Sequence, residues 1–94
     1  MATESIIKTE PGVCLLCGKH GQTQKHHLMS GTANRRLSEE DGLFIYVCPM
    51  CHEMIHRFPE INRTTKAFAE KVWRDYYGKS KEEFIKRYGK SFEE

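Results

Sequence analysis

No run of apolar residues in this chain approaches the roughly 20 needed to cross a bilayer, and the opening "MATESIIKTE" lacks the basic start and apolar stretch of a secretory signal. These absences point away from a membrane protein or a membrane partner and make a soluble, cytoplasmic protein the expectation. Neither sign of charge dominates. Fifteen Lys and Arg against 13 Asp and Glu leave a net charge of +2, too little to announce nucleic-acid binding, although basic residues can still gather locally on folding. Apolar residues are also scarce, at 38% beside 30% charged over 94 residues, so a single thin core is expected and some fastening beyond packing is needed. Internal repeats and low-complexity segments are absent too, which leaves one small domain.

What the chain does have is four cysteines in two Cys-x-x-Cys pairs, Cys14/Cys17 and Cys48/Cys51, with 30 residues between them. In a secreted chain they would suggest disulfides; without an export signal they favour a metal. Each spacing lets two thiolates of one turn reach the same ion, and four thiolates close a tetrahedral zinc site that leaves no position for substrate. A structural zinc supplies on the order of 10 kcal/mol of apparent folding free energy, which is the missing fastening. Two separate redox or incidental thiol pairs are the alternative, but pairs that flank one hairpin suit a single ion better.

Along the chain, residues 1–11 read as a flexible tail in which Ile6 and Ile7 are strand-compatible. "VCLLCGKHG" has the composition of a zinc knuckle, and "QTQKHHLM" reads as a strand leaving it. Residues 30–42 are a polar loop in which Ser38 and Asp41 frame a single helical turn ended by Gly42. "LFIYV" is the strongest strand, with Leu43, Ile45 and Val47 on one face and Phe44 and Tyr46 on the other. "CPMCHEMIHRF" forms a second knuckle running into a helix closed at Pro59. A helix over 64–77 carries an apolar stripe of Phe68, Val72 and Tyr76, flanked by Ala69 and Trp73 and stopped by Gly78. Ser80 and Glu83 form a capping box for a last helix with Phe84, Ile85 and Tyr88, ended by Gly89. Both aromatic stripes read as core rather than as base-stacking platforms. The fold class is α+β: a small zinc-stabilised core over 13–58 and a helical extension over 62–90, within one domain of residues 12–94.

Three of the five histidines have the pattern of a second metal site. His52 and His56 stand one helical turn apart and can ligate one ion, and the zinc clamp brings His26 close enough to supply a third ligand, leaving the ion open. Adjacent strand residues point to opposite faces, so His27 is directed away from the ion and is the candidate general base; an imidazole titrates near neutrality, at about 6.5. His20 reads as solvated. Lys25, Arg35, Arg36 and Arg57 flank this group and are the candidate phosphate contacts.

The paired knuckles, "HH" at 26–27 and "CPMCHEMIH" at 48–56 resemble the HNH endonuclease superfamily, and the order "HHLMSG..NRRLSEEDGLFIYVCPMCH" resembles small HNH-type proteins of phages and prophages. The resemblance covers about residues 13–58. It implies a ββα-metal core and a metal-dependent endonuclease that hydrolyses DNA phosphodiester bonds; no segment reads as a sequence-reading element, so cutting with little sequence specificity, or structure-directed action, is expected. His26, His52 and His56 would hold a divalent ion such as Mg²⁺, Mn²⁺, Ni²⁺ or Zn²⁺, and His27 would act as base. The chain departs from the family where a middle Asn normally precedes the second strand: it has Asp41 and Gly42, with Asn34 too early, so Asp41 is the candidate for orienting the loop. That departure favours an alternative, a non-catalytic zinc-binding module for DNA or protein interaction. A third reading is a structural protein that forms a homodimer through its aromatic C-terminal helices.

Overall fold

The computed structural model describes residues 4–93, apart from the side chain of Thr32. The β-branched and aromatic run at 43–47 forms β2 (Phe44–Val47), which pairs antiparallel with β1 (Gln24–His27), His26 opposite Ile45 and His27 opposite Phe44. Opposed residues share a face, so the alternation divides the pair: Ile45 and Val47 enter the core with Leu43, while Phe44 lies across the sheet against His27 and under the Lys25 ammonium. The resulting architecture is a small α+β fold of four helices and one two-stranded antiparallel sheet.

Between the strands stands a helix, α1 (Thr32–Asp41), in place of the expected loop with one helical turn. Ser38 does not cap it. Its buried hydroxyl accepts from the Met29 amide (3.3 Å) and donates to the Leu43 carbonyl (2.6 Å), binding the helix to both strand ends. Gly42 does end α1, at φ 75°, and a Cβ there would sit 2.5 Å from the Glu4 carbonyl oxygen. That close approach reflects another departure. Residues 5–9, expected to be part of a flexible tail, run along β2: the Ile6 amide donates to Gly42 O (2.9 Å), Ser5 Oγ to Phe44 O (2.6 Å), and the Tyr46 amide to Thr9 Oγ1 (3.1 Å). Ile6 and Ile7 pack against the core. The first three residues of that tail, and residue 94, lie outside the described residues.

Helix α2 (Pro49–Arg57) begins with Cys48 as N-cap and Pro49 in its first turn. It breaks at Phe58, whose extended conformation is the one a residue before proline prefers, and Pro59 then opens α3 (Pro59–Tyr77), five residues before the expected start. α3 turns a different stripe inward than expected. Thr65, Ala69 and Trp73 are buried, whereas Phe68 and Tyr76 are exposed. Ala69 allows close approach, and Trp73 alone among these aromatics has a buried acceptor for its N–H, Asp41 at 2.8 Å. α4 (Lys81–Tyr88) carries the complete Ser80/Glu83 capping box and buries Phe84 and Tyr88 against Trp73, leaving Ile85 exposed.

Candidate metal centres

The first centre is built where the N-terminal knuckle meets the start of α2. Leu15 N donates to Tyr46 O (2.9 Å), fixing the knuckle to β2, and Gly18 N donates to Cys14 O (2.8 Å), closing its turn. Cys14, Cys17, Cys48 and Cys51 thereby present sulfur atoms all within 4.8 Å of one another, with no disulfide among them. Cys17 and Cys48 are 3.9 Å apart, close to the roughly 3.8 Å that a tetrahedral ion with bonds of about 2.3 Å requires. The four thiols also affect one another's protons. Burial raises the Cys14 thiol, but hydrogen bonds from the Cys48 and Cys17 backbones and neighbouring groups outweigh it and bring the pKa from 9.0 down to about 6. Cys51 is pushed the other way, by burial first and then by the adjoining thiols. Four thiols this close cannot all ionise without a cation among them, and the cluster is therefore a possible structural metal site.

The second centre joins the inward face of β1 to the exposed side of α2. His26, His52 and His56 have ring nitrogens within 4.8 Å of one another, and His26 is almost wholly buried. His52 and His56 approach Nε2 to Nε2 at 3.1 Å, near the roughly 3.3 Å expected for two nitrogens on one tetrahedral ion. Gln24, two residues before His26 and so on the same face of β1, accepts from His52 Nδ1 at 2.6 Å. That bond places the His52 proton on Nδ1 and leaves the Nε2 lone pair facing the cluster, the outer-shell arrangement typical of metal-bound imidazole. Burial, then the charges of His52 and His56, hold His26 down at about 4, and burial followed by His56 lowers His52. Both shifts favour the neutral imidazole, the form that binds metal.

His27 faces across the strand, and its Nε2 lies 2.8 Å from Glu39 Oε1. An ionised carboxylate only accepts, so His27 carries a proton on Nε2, and in the neutral imidazole the lone pair is then on Nδ1. The His27 bond first, and Lys25 after it, hold the Glu39 carboxyl below its ordinary value against the effect of burial. His26 and His27, the adjacent dyad of β1, line one cavity of about 240 Å³ together with His52 and His56. A larger cleft, of about 680 Å³, lies along Asp41, Trp73 and Arg87, but it holds no such cluster.

The candidate phosphate contacts divide. Arg35 lines the imidazole cavity. Lys25 also lines it, yet its ammonium is bound to Glu39 at 3.1 and 3.3 Å. Arg36 points to Glu40 along α1 (3.3 Å), and Arg57 is exposed in the last turn of α2; neither lines the cavity. Asp41 does not orient the loop at the dyad. Its carboxylate accepts from Trp73 Nε1, Tyr88 OH and two nitrogens of Arg87 (2.6–2.8 Å), and its carbonyl from Tyr77 OH, so it clamps α1 to α3 and α4. Ser38 makes the backbone contacts between the strands instead.

Sequence reasoning missed Gln24, Glu39, Asn62 and Lys66. Only Gln24 had a local signal, the two-residue spacing from His26 on one strand. Asn62 and Lys66 reach the cavity from α3, and Glu39 reaches His27 from α1. No family model matches the chain, and no curated protein and no solved structure matches it either.

Proposed function

We propose that this chain is a metal-dependent endonuclease of HNH type that hydrolyses DNA phosphodiester bonds with little sequence preference, with zinc held by the four cysteines as its structural clamp. One observation carries the reading: His26, His52 and His56 converge, and His27, which lines the same cavity, is held by Glu39 through Nε2, so that Nδ1 is its nitrogen for accepting a proton. The strand, strand and helix that supply these residues support a ββα-metal core. Three imidazoles suit transition metals best, though Mg²⁺ and Mn²⁺ belong in the test set.

A divalent ion bound by His26, His52 and His56 would supply Lewis-acid stabilisation of the charge that develops on a scissile phosphate. The chain's own residues do the rest. Gln24 fixes the His52 ring, burial keeps His26 neutral, and Glu39 sets the His27 tautomer so that Nδ1 takes the proton of the attacking water. A positioned base of this kind contributes about 10²- to 10⁴-fold. Plasmid DNA incubated with the full chain and Mg²⁺, Mn²⁺ or Ni²⁺ should be nicked or cut, and His27→Ala should slow cleavage by about that factor with zinc content unchanged. Equal rates in the two proteins would remove His27 from the mechanism.

A second reading, a non-catalytic zinc-binding module for DNA or protein interaction, is favoured by Asp41, whose carboxylate is committed to α3 and α4 rather than to the loop beside the dyad. No cutting with any of the ions would select it.

A further inference from the structure

The cavity at the imidazoles is one-sided in charge. Lys25, Arg35, Lys66 and four histidines line it, and no Asp or Glu does. Lys25 is neutralised by Glu39, but Lys66, which reaches in from α3, is not. Among the described residues its one hydrogen-bond partner is the Ser30 hydroxyl at 2.6 Å, and no carboxylate lies within ion-pair distance of it. Burial, and then the nearby Lys90, make its charge unfavourable where it stands. A half-buried ammonium without a counter-charge, beside a cluster suited to a divalent cation, calls for an anionic ligand.

We propose that Lys66 grips a nucleic-acid phosphodiester in this cavity, with Ser30 holding the ammonium in place. The inference rests on reading the imidazole site as a nuclease centre. Two non-bridging oxygens diverge from one phosphorus, so one can face the imidazoles while the other accepts from Lys66 Nζ. Ser30 Oγ accepts from Lys66, which leaves its own proton to donate to the same anion. Arg35, on the cavity wall, adds positive charge. This gives the C-terminal extension a part in binding substrate, through a helix outside the strand-and-helix unit that carries the histidines.

The test titrates the zinc-loaded full chain with inorganic phosphate, followed by the amide shifts of Ser30 and Gly31, and separately with a short DNA duplex followed by anisotropy. Lys66→Met should weaken both about 10-fold or more, the range for a hydrogen bond to a charged group. Lys66→Arg should restore most of the affinity, and Ser30→Ala should give a smaller loss, all with the parent's melting temperature. Phosphate and duplex binding unchanged in Lys66→Met would overturn the proposal. The two readings fail separately. A parent that binds through Lys66 but cuts no DNA keeps this inference and loses the nuclease, whereas a parent that cuts with Lys66→Met equally active keeps the nuclease and loses Lys66.

Discussion

Helix α2 and its N-cap contribute two of the four cysteines and two of the three histidines, and these two pairs meet different surroundings. At its N-terminus Cys48 and Cys51 join Cys14 and Cys17, four soft donors around one point with two of them buried. From the residue after Cys51 onward, His52 and His56 meet buried His26 on one side and an open cavity on the other. Donor count separates the two. Four thiolates complete a tetrahedron and can only hold the chain together, while three imidazoles leave a position to which a substrate can come. The same short helix can thus serve a closed four-sulfur cluster with its first turn and an open three-imidazole cluster with the residues that follow.

The strongest way to break this contrast is to damage the closed cluster. Cys51→Ser should cost most of the roughly 10 kcal/mol that a structural zinc supplies, giving a chain unfolded by circular dichroism and without bound zinc. A folded, cooperatively melting Cys51→Ser protein would show that packing alone suffices. Next in size, His56→Ala should weaken the second ion by more than the roughly 10- to 100-fold that an outer-shell change costs, while thermal stability and the first ion stay as in the parent. Calorimetric metal titration would read both sites in one experiment.

Asp41 lies outside both clusters and sharpens the comparison by separating fold from site. Asp41→Asn removes the charge that Arg87 pairs with and disturbs the acceptor shared by Trp73 and Tyr88, so urea unfolding should show a loss of about 2–4 kcal/mol with both ions retained. The smallest effect concerns Glu39. Its carboxyl is lowered in the folded chain, so its contribution to stability is fully present above the ordinary value of 4.5 and is lost as pH falls through the lowered one. Solvent at this partly exposed group keeps that contribution under about 1 kcal/mol, and Glu39→Gln should flatten stability over that acidic window.

The clusters were legible in the sequence because their spacings are local: Cys-x-x-Cys within a turn, His52 and His56 one helical turn apart, and the strand that delivers His26. The residues that complete the second site were not, since Glu39 is 12 positions from His27 and Lys66 is 36 from Ser30, and only the folded chain brings either pair together. Helix α1 was hidden for a related reason. "TANRRLSEED" shows almost no apolar period, so it read as a loop, yet it holds several good helix formers and is fixed by Asp41, whose partners Trp73, Arg87 and Tyr88 are 32 to 47 positions away. On α3 the period was legible but its phase was not. Two apolar stripes were available, and the acceptor at Asp41 together with small Ala69 turned Trp73 inward and left Phe68 and Tyr76 to solvent.

The division of labour between the clusters is tested most directly by stepwise chelation of the fully metal-loaded chain, with metal content, ellipticity and plasmid cleavage followed together. The account predicts that the first ion to leave takes cleavage with it while ellipticity holds, and that the fold is lost only with the second. Loss of fold with the first ion, or cleavage that survives until the last one leaves, would contradict it.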